Sequence, residues 1–161
     1  MPGPEELVLL TKDINHAKTV SLQFDMMVEA YGGGGMAPAF VVNIQFGQLG
    51  YDLLVVSPTS LAFVETLKGV DGGSDMITSH PIGGGFPTGI WTHVAVVLNL
   101  PQVAMPGNAA ITLGNQPALQ TPLTYAIPVS TGGTVSFGLI VTSAPMIWKI
   151  RYDNVLIDKS G

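Results

Sequence analysis

Two carboxylates on a glycine-bent loop are the residues whose types and spacing most directly suggest chemistry. Asp71-Gly72-Gly73-Ser74-Asp75 offers two acids and a hydroxyl, the hard oxygen donors that calcium prefers. The loop lacks the middle Asp/Asn and the distal Glu of an EF-hand, so a solvated turn is the plainer reading. Both acids lie in a stretch that reads as irregular over residues 68–89, KGVDGGSDMITSHPIGGGFPTG. Connections longer than about 15 residues are usually functional or mobile. His80 and Phe86 stand in the same stretch, and Tyr31 and Asn108 in other glycine-rich turns. Together they supply a flat aromatic surface and hydrogen-bonding groups, although packing is the simpler account of each aromatic.

Other chemistries find less support. The chain has no cysteine, which excludes disulfides, thiolate catalysis and Cys-ligated zinc. His16, His80 and His93 lie far apart, and no Gly-x-Ser-x-Gly elbow accompanies them. His93 stands two residues from Trp91 on the polar side of its strand, where it reads as a surface imidazole. Gly32–Gly35 and Gly83–Gly85 lack the Lys-Ser/Thr that follows a phosphate loop, so they read as turns.

The elements that must position these residues are strands. Val20, Leu22, Phe24, Met26 and Val28 alternate with Ser21, Gln23, Asp25 and Glu29. Similar stripes run through Phe40–Phe46, Tyr51–Val55, Leu61–Leu67, Ile90–Leu100 and Val135–Val141, with weaker ones at Glu6–Leu10 and Ala109–Leu113. Glycine, proline, asparagine and serine punctuate them, giving eight or nine strands. No segment of helical length carries a 3.6-residue period; Pro4-Glu5-Glu6 could open a short helix over residues 4–14. In Trp148-Lys149-Ile150-Arg151-Tyr152-Asp153-Asn154-Val155-Leu156-Ile157-Asp158 the apolar parity slips by one residue at Asp153-Asn154. Such a slip marks a β-bulge, with Asp153 bonding nearby backbone N–H groups.

Composition bounds the rest. At 161 residues the chain is most simply one domain over residues 1–161, and a chain of this size buries roughly 70% of its unfolded surface. Only 11% of residues are charged, net −5 without a basic cluster, which argues against nucleic acid as a partner. No apolar run approaches the roughly 20 residues of a membrane helix, so membrane insertion is not expected. The start, MPGPEELVLL, does not read as a secretory signal. The expectation is a domain excised from a longer protein, with a cytoplasmic protein as the other reading.

The order of these pieces resembles the concanavalin A-like lectin/glucanase superfamily, in its laminin-G-like and laminarinase-like branches. The resemblance is carried by Ser21-Leu22-Gln23-Phe24-Asp25-Met26, by Gly89-Ile90-Trp91-Thr92-His93-Val94, by Val135-Ser136-Phe137-Gly138-Leu139 and by Ile150-Arg151-Tyr152-Asp153-Asn154-Val155. It covers the chain from about residue 18 onward and implies an all-β, two-sheet antiparallel β-sandwich of jelly-roll type. No cofactor is required; relatives that hold structural calcium make Asp153 a matching metal candidate beside Asp71 and Asp75. Glycosidases of the superfamily place a Glu-x-Asp-x-x-Glu triplet on one strand. Here Glu65 is the only acid on its strand, and Asp25 and Glu29 flank Met27 in phase, so neither segment matches.

The resemblance therefore implies a non-catalytic module that binds carbohydrate through rim loops, in an extracellular or cell-surface protein. The expected site is Asp71, Asp75, His80, Phe86, Tyr31 and Asn108. The rival reading is an assembly module, a homo-oligomer or a domain docked to flanking domains. Its surface would be the apolar residues of the second parity: Val41, Leu54, Val56, Ala62, Val64, Ala95, Val97 and Ile140. A glycoside hydrolase comes third.

Overall fold

The computed structural model describes residues 6–32, 39–57, 60–69, 73–82, 87–125, 132–141 and 147–161. Within them run eleven strands. They are β1 (Glu6–Asp13), β2 (Thr19–Gly32), β3 (Ala39–Phe46), β4 (Leu49–Ser57), β5 (Ser60–Leu67) and β6 (Met76–Ile82), followed by β7 (Thr92–Asn99), β8 (Asn108–Leu113), β9 (Gln116–Pro122), β10 (Thr134–Val141) and β11 (Ile147–Ser160). They form two antiparallel sheets, β1-β10-β3-β4-β5-β6 and β11-β2-β7-β8-β9. The expected all-β sandwich is the observed fold.

Alternation builds it. Val20, Leu22, Phe24, Met26 and Val28 of β2 and Val94, Val96 and Leu98 of β7 are buried between the sheets. Facing them are Val42 and Ile44 of β3, Tyr51, Leu53 and Val55 of β4, and Leu61 and Phe63 of β5. An aromatic cluster joins the sheets near one flank. The Phe137 ring lies 4.9 Å from Phe24 and 4.7 Å from Tyr152, both edge-to-face. Such pairs contribute about 0.5–1.5 kcal/mol beyond their burial. The Tyr152 hydroxyl donates to the Gly138 carbonyl at 3.1 Å, which removes the cost of an unpaired O–H there.

The parity slip in β11 is a bulge. Asp153 pairs with Asp25 and Leu156 with Gln23, so residues 154 and 155 stand opposite Phe24 alone. Asn154 adopts φ 52, a left-handed conformation that Asn tolerates better than most residues. Ile150 and Tyr152 pack on the core before the bulge, Val155 and Ile157 after it.

Two expectations need correction. Residues 6–13 are strand and not the opening of a helix, because their partner is β10. The stretch 68–89 is not one irregular loop: Met76–Ile82 pairs with β5 in unbroken register. Its mixed composition, MITSHPI, hid it, since an edge strand needs no clean apolar stripe. The same holds for β9, QPALQTP.

The second apolar face is also less open than parity alone suggests. Leu54, Ala62 and Val64 form their own small buried cluster. Val41 joins the main core because the register between β3 and β4 shifts at Phe40/Val42. Val56 and Val97 are exposed and Ala95 is half-buried; the Ile140 side chain lies outside the described residues.

Candidate functional site

A group of hydrogen-bonded polar side chains that reach solvent lies on the outer face of the β11-β2-β7 portion of the second sheet. Burying the even-numbered residues of β2 turns Asp25, Met27 and Glu29 outward. Register sets Asp25 directly beside His93 of β7 and Asp153 of β11. His93 Nδ1 lies 2.7 Å from Asp25 Oδ1, and Asn154 Nδ2 donates to Asp25 Oδ2 at 2.7 Å. Both carboxylate oxygens are thus held, one by each neighbouring strand. The bulge makes the second bond, because a regular β11 would carry residue 154 to the core side. The Asn154 amide, and then His93, hold the Asp25 carboxyl below the usual carboxylate range.

One strand-turn along the same face, Glu29 is paired with Lys149 at 2.7 Å and with the Arg151 guanidinium. These two cations, Lys149 first, hold the Glu29 carboxyl low. Trp91 stands one residue before β7 with the parity of His93 and is 47% exposed, an unusual degree for so large an aromatic. A fixed row of planar polar groups suits hydrogen bonding to hydroxyls, and an exposed indole suits stacking on a flat apolar surface.

A second polar group is enclosed. Glu65 falls in phase with the apolar residues of β5 and is fully buried. His80 Nε2 of β6 is 2.8 Å from its Oε1. The Thr124 hydroxyl donates to the same oxygen at 2.9 Å, and the Thr124 N–H donates to Oε2 at 2.9 Å. The Thr78 and Tyr125 hydroxyls lie 3.2 Å apart alongside. Burial, and then the Glu65 charge, push the neighbouring Tyr51 hydroxyl well above its ordinary value. This group clasps the segment after β9 to the β5–β6 edge. With its carboxylate closed off from solvent, it is a structural device.

Of the residues expected from the sequence, Asp75, His80 and Asn108 are described, and each has its own separate partner. Asp71 and Phe86 lie outside the described residues, as does the side chain of Tyr31. Asp75 is exposed, and its Oδ1 accepts the Gly69 N–H at 3.0 Å. His80 is committed to Glu65. Asn108 is the first residue of β8 rather than part of a turn, and accepts from Asn99 Nδ2 at 2.9 Å. Thr19, Asn99 and Asn108 share one end of the second sheet, whereas Tyr31 lies at the far end of β2. At about 3.3 Å per residue, that separation along β2 is roughly 40 Å.

The metal candidates are likewise scattered. Asp153 Oδ1 accepts the Asn154 N–H at 2.8 Å, the local bond expected of the bulge. Asp75 and Asp153 stand at opposite edges of the sandwich, on the approaches to β6 and in β11. Among the described residues no three His, Asp or Glu side chains group to hold a metal.

The fold has known counterparts. No family model matches the chain, and no curated protein matches it in sequence. Solved structures do. Endo-β-1,4-glucuronan lyase from the fungus Trichoderma reesei superposes with TM-score 0.61 at 8% identity, over 93% of this chain and 74% of the other. Carbohydrate-binding module CBM66 from Bacillus subtilis gives 0.50 at 10% identity, over 91% and 78%. A botulinum neurotoxin type C structure gives 0.56 at 14% identity over 89% of this chain, which spans about a third of it, 32%. The fold is therefore the concanavalin A-like jelly roll.

Proposed function

We propose that this chain is a non-catalytic carbohydrate-recognition module of an extracellular or cell-surface protein, and that it binds through the outer face of β11, β2 and β7. The observation that carries this reading is Asp25, fixed at both oxygens by His93 and Asn154, on the strand neighbouring the one that the exposed Trp91 precedes. Planar groups held in place lose little entropy on binding, which suits the directional hydrogen bonds of sugar hydroxyls. The similar structures give it context: one is a carbohydrate-binding module, and one belongs to a toxin whose cell entry depends on two ganglioside molecules. One similar structure is a lyase, so catalysis is weighed on the residues themselves. Here the buried Glu65 is sealed by His80 and Thr124, and Asp25 and Glu29 are engaged by amide, imidazole or cationic partners.

The test is a glycan array with and without calcium, followed by calorimetry on variants. Trp91→Ala and Asp25→Ala are each expected to weaken binding about tenfold or more, a loss of at least about 1.4 kcal/mol. Asp71→Ala with Asp75→Ala should leave it unchanged. Loss of binding in the Asp71/Asp75 pair alone would return the site to the rim. Absence of glycan binding at every calcium level would refute the recognition reading.

A further inference from the structure

The outer face of β11, β2 and β7 is electrically polarised along its strands. Lys149 and Arg151 stand at one end, and Asp153 with its neighbour Asp25 lies two residues beyond Arg151. The chain has only six basic residues and a net charge of −5, so two cations at i, i+2 on one strand are a local concentration of positive charge. They share a single carboxylate, Glu29, which leaves this end with one unbalanced positive charge. Both cations are open to solvent, whereas Glu29 is half-buried. Exposed ion pairs add little stability; what this one does is fix the direction of the Arg151 guanidinium. Arg151 meets Glu29 through Nε, and among the described residues its two Nη groups have no partner. That free pair is the end of the guanidinium fork, which takes both oxygens of a planar carboxylate.

Across the strands the same row runs onto an apolar floor. Arg151 pairs with Met27, and Trp91 lies one residue beyond the Met26–Thr92 pair, level with Met27. The Gly89 N–H donates to the Val28 carbonyl at 2.8 Å, which keeps the segment bearing Trp91 alongside β2. Arg151 and Trp91 are therefore two strand spacings apart, about 10 Å, with room for one sugar ring over Met27. We propose that the ligand of this face is an acidic sugar, one whose ring carries a carboxylate, as in a hexuronate or a sialate. The carboxylate meets the Arg151 fork beside Lys149, the ring lies on Met27 and Trp91, and its hydroxyls donate toward Asp25. A carboxylate has about four acceptor positions, so Asp25 keeps capacity after His93 and Asn154. Asp25 and Asp153 repel an anion placed the other way round, so the two poles set the direction of the ring. A sulfate ester supplies the charge without the planar pair of oxygens. The inference rests on the recognition reading above and adds the charge of the ligand to it.

Calorimetry on the full chain at neutral pH tests it. A hexuronate trisaccharide is compared with the same trisaccharide after reduction of its carboxyls to alcohols, and 3′-sialyllactose with lactose. These two arms separate the two sources of carboxylate, and a sulfated trisaccharide controls for charge alone. At least one acidic sugar should bind about tenfold or more tighter than its neutral counterpart and than the sulfated sugar. That advantage should shrink as salt is raised. Arg151→Gln should bring the acidic-to-neutral ratio close to one, and Arg151→Lys, which keeps the charge without the fork, should lose most of it. Urea midpoints near that of wild type show both variants folded. Equal affinity for acidic and neutral sugars overturns the inference and leaves the recognition reading standing. A sulfated sugar bound as tightly as the carboxylate overturns the fork, and an acidic preference undiminished in Arg151→Gln overturns the placement. Absence of binding to any glycan overturns both readings together.

Discussion

Replacing Glu65 with glutamine tests whether the buried clasp holds the β5–β6 edge. The carboxylate is fully buried and meets only donors at its Thr124 side, an N–H on Oε2 and a hydroxyl on Oε1, with His80 Nε2 also on Oε1. Glutamine keeps the volume but offers one acceptor where the carboxylate offers two. With its oxygen toward His80 and the Thr124 hydroxyl, its NH₂ confronts the Thr124 N–H, donor against donor. A hydrogen bond to a charged group is worth about 1.5–3 kcal/mol, and a buried donor left unpaired costs about 1–3 kcal/mol. These overlap, and Thr124 is exposed enough for water to relieve part of the cost. A destabilisation of about 2–3 kcal/mol results. At about 2–4 °C per kcal/mol for a domain of this size, Tm falls by about 5–10 °C. Urea unfolding followed by tryptophan fluorescence gives the free energy, and amide exchange at Thr124 gives the local effect. A Glu65→Gln protein within about 0.5 kcal/mol of wild type, the range of an unimportant surface change, would refute the clasp.

Two further outcomes are expected. Asn154→Val forces a β-branched residue into the left-handed conformation of the bulge, at about 1–2 kcal/mol, and also loses the bond to Asp25; Asn154→Gly keeps the backbone and loses only that bond. Urea midpoints should therefore rank wild type, then glycine, then valine, and a valine variant as stable as glycine would contradict the bulge strain. Asp25 titrates below its unfolded value of about 3.9, so its contribution to stability is complete above that pH and lost as pH falls through the folded value. Calorimetric Tm measured through the acid range should fall more steeply for wild type than for Asp25→Asn, and parallel curves would remove the Asp25 linkage.

Several features were written locally. Alternation in Val20–Val28 and Val94–Leu98 specified strands with one buried face, because a period of two places every second side chain on one side whatever surrounds it. The slip at Asp153-Asn154 specified the bulge for the same reason. Edges were not so written: β6 and β9 bury little, so no apolar stripe marks them, and only pairing with β5 and β8 makes them strands. The polar groups depended most on tertiary structure. Glu65 stood in phase with Leu61 and Phe63, and Trp91 and His93 stood on a polar parity, which were the available signals. No spacing along the chain, however, links Glu65 to Thr124 or Asp25 to His93 and Asn154. Those partners are 59, 68 and 129 residues apart, and sheet register alone brings them within hydrogen-bond distance. The residues expected from the sequence at a rim come from separate segments of the chain, and which end of the sandwich each reaches is set by strand register rather than by position along the chain.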